Sequence, residues 1–211
     1  MLVSEIDFSR VPQRAIRKFL KTSKLKTLEE LIPVCYSPTE EPYFYHCKEY
    51  TFPFNINNVW EKYIFLHPTA CWDSAMISLG IVYSRPDDQV LYRDSDFDQL
   101  QKGQLYFIRL NILGSLLQIP VIHEINEVDH ENKVIKSCYV DKGKSQGSQW
   151  IKLVEVDEHT TRIVHETRYK GDSKIRDKYL YPIFHTKALD QFHGNVLREL
   201  NQEASIFSTS S

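Results

Sequence analysis

The stretch KVIKSCYVDKGKSQGSQWIKLVEVDEHTTRIVHETRY, residues 133–169, holds three apolar–polar alternations separated by two short polar breaks. Successive side chains of a strand point to opposite faces. In the last of the three, Ile163, His165, Thr167 and Tyr169 therefore share one face, and Thr160, Arg162, Val164, Glu166 and Arg168 share the other. The charged face belongs in water, which turns the first set toward the core. By the same reasoning Lys136 sets Ile135, Ser137 and Tyr139 inward, Lys152 sets Ile151 and Leu153 inward, and upstream Arg109 does so for Tyr106, Ile108 and Leu110. The inner face is apolar but studded with tyrosine and histidine.

Working outward, strand-like runs stand at 75–83, 90–93, 104–112 and 119–128, and Asp129-His130-Glu131-Asn132 is another short polar connector. Such connectors join antiparallel neighbours, so a meander of at least five strands is expected. On its N-terminal side lies an aromatic-rich strand over 43–52, closed by Pro53. A helix carrying Val59, Trp60, Tyr63 and Ile64 follows, capped by Asn57 or Asn58 and interrupted at Pro68 before a short segment around Trp72. On the C-terminal side a long helical segment runs from Lys174 to about Glu203, with Phe184, Leu189, Phe192, Val196 and Leu200 among its apolar positions. Pro182 must kink it or sit in the first turn of its second part. Residues 206–211 read as a flexible tail. Residues 1–42 read as a helical extension of two short helices, ending in a loop marked by Pro38 and Pro42.

Composition excludes several functions. The chain has 211 residues, enough for roughly one and a half domains. Its 26 basic and 28 acidic side chains leave a net charge of −2, so no global field favours nucleic acid. Seven scattered glycines form neither GxGxxG nor a phosphate-cradling loop, and no cofactor is implied. Four separated cysteines, with no CxxC, offer no zinc site and read as reduced thiols of a cytoplasmic protein. The segment MLVSEIDFSR lacks a long apolar core, and the longest mostly apolar stretch, Asn111–Ile122, falls short of the roughly 20 residues of a spanning helix. No transmembrane segment is expected.

A strand, two short helices, a curved antiparallel meander and a long C-terminal helix make an α+β helix-grip order. With Phe54-Asn55-Ile56-Asn57-Asn58-Val59-Trp60 after the first strand and Gly147-Ser148-Gln149-Trp150-Ile151 with Thr160-Thr161-Arg162-Ile163 in the closing hairpin, the chain resembles the START-like (SRPBCC) superfamily over about residues 43–205. That superfamily includes the major birch-pollen allergen (Bet v 1), polyketide cyclases and a chaperone-ATPase activator. Two departures stand out: His159 or Thr160 replaces the usual glycine before the last strand, and residues 1–42 have no counterpart in the minimal domain. The resemblance implies a curved sheet wrapped around the C-terminal helix, with a cavity between them. Alternation and helix face then give its expected lining: Tyr106, Ile108, His123, Tyr139, Ile151, His165, Tyr169, Phe184 and Phe192.

Other motifs yield to simpler readings. Gly143-Lys144-Ser145-Gln146-Gly147 matches GxSxG, but a nucleophile elbow needs a strand-to-helix turn and strands flank it here, so a hairpin is expected. His123-Glu124 and His165-Glu166 lie on strands, and Glu127 stands where HExxH needs its second histidine, so no metal site is expected. His123 and His165 remain the candidates for proton transfer, with a satisfied core or ligand-orienting role preferred. The basic helix within 10–26 reads first as a solvated face packed on the sheet and second as a peripheral membrane contact. Trp60 and Trp72 read as core before cavity mouth.

The expected function is binding of a hydrophobic or amphipathic small molecule (lipid, isoprenoid or polyketide-like). The alternatives are a cyclase-, aromatase- or hydrolase-type enzyme using the same cavity, and a chaperone-activator-like interaction module contacting its partner through the N-terminal basic helix.

Overall fold

Eight strands form one antiparallel sheet: β1 (Phe44–Phe52), β2 (Ile77–Ser84), β3 (Gln89–Leu91), β4 (Gln104–Ile112), β5 (Leu117–Asp129), β6 (Val134–Tyr139), β7 (Ser145–Asp157) and β8 (Thr160–Gly171). Their spatial order is β1-β8-β7-β6-β5-β4-β2-β3, so the sequence-adjacent hairpins from β4 to β8 form the expected meander. The computed structural model describes residues 1–39, 43–112 and 116–209, with side chains as far as 206. Residues 40–42 of the expected loop lie outside the described residues.

Register shifts at Leu79/Ile81, Ile125/Glu127 and Glu155/Asp157 insert an extra residue into β2, β5 and β7. Each such bulge bends its strand and increases its twist. In β2 the shift also reverses the alternation: Ile77, Leu79 and Val82 join the core on the concave face, whereas Ile81 and Tyr83 join a second core on the convex face.

The concave face wraps a helix, α4 (Tyr181–Thr209), which buries Leu189, Phe192, Val196 and Leu200 against it. Two further helices, α2 (Ile56–Phe65) and α3 (Pro68–Trp72), close one end of this core. The α2 cap is Asn55, whose Oδ1 accepts from the Asn58 amide at 2.9 Å, rather than Asn57 or Asn58 themselves. Only a residue outside the first turn has the extended backbone that a cap requires. Residues Arg176–Leu180 form a π-helical turn ahead of α4. Pro182 therefore sits in the first turn of α4, and having no N–H it cannot close an α-turn onto Lys178. α4 continues to Thr209, so residues 206–209 of the expected tail are helical backbone, and residues 210–211 lie outside the described residues.

The N-terminal residues build the convex layer. Short 3-10 turns at Val3–Glu5, Phe8–Arg10 and Leu28–Glu30 flank α1 (Arg14–Thr22). Val11, Ile16, Leu20, Leu28 and Leu31 pack on Ile81, Tyr83, Leu105 and Phe107. A Cβ built on Gly80, at the β2 bulge, would lie 2.4 Å from Ile16 Cδ1, so this glycine makes room for α1. Arg85 ties the layer to the sheet: its Nη1 donates to Glu29 at 2.7 Å and its Nη2 to the buried Glu124 of β5 at 3.0 Å. Because the apolar side of α1 is already covered by the sheet, the helix has no free apolar face to lay on a membrane.

Farther along, the amides of Val34 and Asp141 donate to the carbonyls of Tyr139 and Ile32, and Cys35 forms a disulfide with Cys138 of β6. This corrects the expectation of four reduced thiols; Cys47 and Cys71 are the free ones. Residues 103 positions apart are neighbours only because the N-terminal segment crosses the back of the sheet, which local patterning does not reveal. Among the described residues, no helix is long and apolar enough to cross a membrane.

Candidate functional site

Between the sheet and the first turns of α4 lies a cavity of 430 Å³. Its sheet wall comes from the inward positions of β4 and β5: Ile108, Leu110, Ile119, Val121 and His123. Its helix wall comes from Leu180, Tyr181, Phe184, His185, Ala188 and Leu189. Trp72 closes the inner end, beyond which a 60 Å³ void lies among Tyr63, Tyr106, Ile151 and Phe192. Toward the other end stand the β6–β7 hairpin residues Gly143, Lys144 and Ser145, with Arg176. The GxSxG motif is therefore a hairpin. Its Gly147, at φ +122, permits an approach in which a Cβ would sit 1.9 Å from the Arg168 carbonyl oxygen.

The polar groups of the site form a chain that is buried at Tyr63, His193, His165 and Gln149 and half-buried at His123, His185 and His46. Tyr63 Oη lies 2.6 Å from His193 Nδ1, His193 Nε2 lies 2.9 Å from His165 Nδ1, and His165 Nε2 lies 3.0 Å from Gln149 Oε1. The same oxygen is 3.2 Å from His185 Nε2, while Gln149 Nε2 is 2.8 Å from His123 Nδ1. A second arm runs from His185 Nδ1 to His46 Nδ1 at 3.1 Å, and from His46 Nε2 to Thr186 Oγ1 at 2.9 Å. Five of the eight histidines of the chain are thus linked through one glutamine. They bond to one another rather than converge on a point, and among the described residues no group of three or more His, Cys, Asp or Glu is arranged to hold a metal ion.

Burial disfavours the imidazolium form. It pushes His123 down to about 4 and His193 to about 3, with the neighbouring His185 adding to the latter. It also holds His165 and His185 well below the usual histidine range, helped by the other imidazoles, and lowers His46. All five are neutral imidazoles at pH 7. Beside the cavity, Tyr139 and Tyr181 share a hydroxyl–hydroxyl hydrogen bond, and burial raises both phenols.

The nine sequence-expected lining residues fall into four groups. Ile108, Tyr139 and Phe184 line the large cavity; Tyr106, Ile151, His165 and Phe192 line the small void; His123 borders both. Tyr169 borders neither, because its ring stacks on Tyr181 at 3.5 Å and its hydroxyl donates to the Asp177 carbonyl at 2.7 Å. In each His-Glu pair the glutamate points the other way, Glu124 to Arg85 and Glu166 to Lys152. Trp60 is core, its Nε1 donating to His130 at 3.2 Å, whereas Trp72 lines both cavity and void.

Sequence reading passed over Gln149, His46, His185, His193 and Tyr181. Gln149 shares the inward parity of Ile151 and Leu153, and His185 and His193 lie four positions either side of Leu189 on the buried stripe of α4. The signal was present but carried by polar residues, which a search for apolar periodicity discards.

No family model matches the chain, and no curated protein matches it. Solved structures do. Norcoclaurine synthase from Thalictrum flavum, in complex with dopamine and hydroxybenzaldehyde, is similar at 14% identity and a TM-score of 0.55, over 75% of this chain and 87% of that one. The Zhui aromatase/cyclase from Streptomyces sp. R1128 is similar at 11% identity and a TM-score of 0.53, over 76% and 95%. Ara h 8.0201 is similar at 15% identity and a TM-score of 0.50, over 75% and 98%. These neighbours are Bet v 1/SRPBCC structures, and at such identities the likeness establishes the shared helix-grip fold.

Proposed function

We propose that this protein binds a hydrophobic or amphipathic small molecule, of the lipid, isoprenoid or polyketide-like aromatic class, in the cavity between its sheet and α4. The observation that carries the reading is the cavity itself: 430 Å³ walled mainly by aliphatic and aromatic side chains, with few polar groups turned inward. Burial of apolar ligand surface, at about 25 cal/mol per Å², supplies affinity. Orientation falls to His123 and to the Tyr139–Tyr181 pair, since His165 is bonded through both nitrogens and the Tyr169 hydroxyl is used on Asp177. The same fold accommodates dopamine and hydroxybenzaldehyde in the norcoclaurine synthase complex and serves an aromatase/cyclase.

Binding is favoured over cyclase-, aromatase- or hydrolase-type chemistry on the state of the histidines. A general base works best with a pKa near the working pH. His123, pushed down to about 4, is a weak one, and His165 has no free nitrogen. A cytoplasmic location presupposes free thiols, and the Cys35–Cys138 bond favours an oxidising compartment instead.

Native mass spectrometry of freshly purified protein, compared with its denatured mass and an organic extract, tests the reading. A retained small molecule supports cavity binding and identifies the class. A mass without ligand that stays unchanged after incubation with lipids and aromatic polyketides counts against it.

A further inference from the structure

The buried chain beneath the cavity has a direction. A neutral imidazole carries one N–H and one lone pair, so each histidine passes polarity from one neighbour to the next. Among the described residues the buried Tyr63 hydroxyl has one hydrogen-bond partner, His193 Nδ1, and must donate to it. His193 then holds its proton on Nε2 and donates to His165 Nδ1; His165 in turn donates from Nε2 to Gln149 Oε1. The other arm takes its polarity from the same oxygen: His185 donates to it from Nε2 and so accepts at Nδ1 from His46 Nδ1, and His46 then accepts at Nε2 from Thr186, whose hydroxyl can donate. With its oxygen accepting from both arms, the Gln149 amide turns its nitrogen to His123 Nδ1.

His123 therefore accepts at Nδ1 and carries its proton on Nε2, an atom with no partner among the described residues, on a ring that borders the cavity. Reversing the chain would move every proton to the other nitrogen and leave the buried Tyr63 hydroxyl without an acceptor. Resting on the cavity-binding reading, we infer that the ligand presents a hydrogen-bond acceptor, a carbonyl or ether oxygen, to the Nε2–H of His123, and that this donor polarity is set from Tyr63 through His193, His165 and Gln149. His123 contacts the ligand; the other four are positioning residues.

Two measurements test this. Long-range ¹⁵N–¹H correlation of the labelled protein at about pH 7 reads each tautomer directly, because burial keeps the rings neutral there. The expected set is Nε2–H for His123, His165, His185 and His193, and Nδ1–H for His46. The opposite set overturns the inference. In Tyr63→Phe, with the fold intact by circular dichroism, His193, His165 and His123 should show mixed tautomers; an unchanged His123 removes Tyr63 from the role.

Binding of 2-acetylanthracene against 2-ethylanthracene, followed by fluorescence, supplies the ligand arm. The ketone should bind about tenfold tighter than the hydrocarbon, and His123→Phe should abolish the difference. Equal binding to the native protein overturns the acceptor inference while leaving the cavity reading standing. Failure of both probes to bind counts against the cavity reading and takes the inference with it.

Discussion

Gln149 is the junction at which both arms of the histidine chain meet, and both ends of its amide are engaged, the oxygen twice and the nitrogen with His123. Gln149→Leu keeps the volume but strips partners from His123, His165 and His185. Of these only His165 is fully buried, and a buried polar group left unpaired costs about 1–3 kcal/mol, so a loss of about 1–3 kcal/mol is expected in urea unfolding. A variant as stable as the parent would show that the chain contributes nothing to folding. The same histidines set a pH dependence. Unfolded histidine titrates near 6.5, whereas His123 and His193 are held at about 4 and about 3. Their stabilising contribution is intact above about pH 6.5. Below it the unfolded chain binds protons that the folded state refuses, so stability falls by up to about 1.4 kcal/mol per pH unit for each such residue. Urea midpoints should decrease in the order of about pH 7.5, 6 and 5; a flat series would mean that these imidazoles are not held neutral by the fold.

At the scale of elements, the disulfide that pins the N-terminal segment to β6 is open to direct counting. Alkylation of the denatured, unreduced protein should add two adducts, at Cys47 and Cys71, and prior reduction should raise this to four. Four adducts without reduction would remove the bond. Cys35→Ser should cost about 2–4 kcal/mol, since the bond closes a long loop of the unfolded chain. How far these elements were legible in sequence depends on whether a local rule governed them. The inward faces of β4, β6, β7 and β8 followed from Arg109, Lys136, Lys152 and Arg162, because a charge marks the face turned away from the helix, although in β4 Leu105 and Phe107 place most of that outer face under the convex layer. β2 resisted that rule: apolar on both faces, it reads as an unbroken run, since α1 covers the side that would otherwise meet water. The π-turn at Arg176–Leu180 was only half visible, Pro182 announcing a disruption without its form. The Cys35–Cys138 pairing and the histidine chain depend on contacts across the whole fold, and no window of sequence contains them.

For the whole molecule, cavity volume and ligand retention should be separable from folding. Ala188 lines the cavity from α4 with the smallest side chain on that wall. Ala188→Phe projects a ring into the empty space, so it should abolish any retained small molecule in native mass spectrometry while leaving the melting temperature at or above that of the parent. Retention of the ligand in this variant would place it elsewhere. The convex layer bears on the same cavity from behind. A sheet with one dry face can flex when something is pushed against its concave side, but here α1 and its flanking turns are wedged into the opposite face and fastened by Arg85 and by the disulfide. Over β2 to β5 the sheet is a clamped plate. If the cavity takes a guest as proposed, any give it needs falls to the other wall, where the π-turn at Arg176–Leu180 interrupts the regular helical ladder ahead of α4.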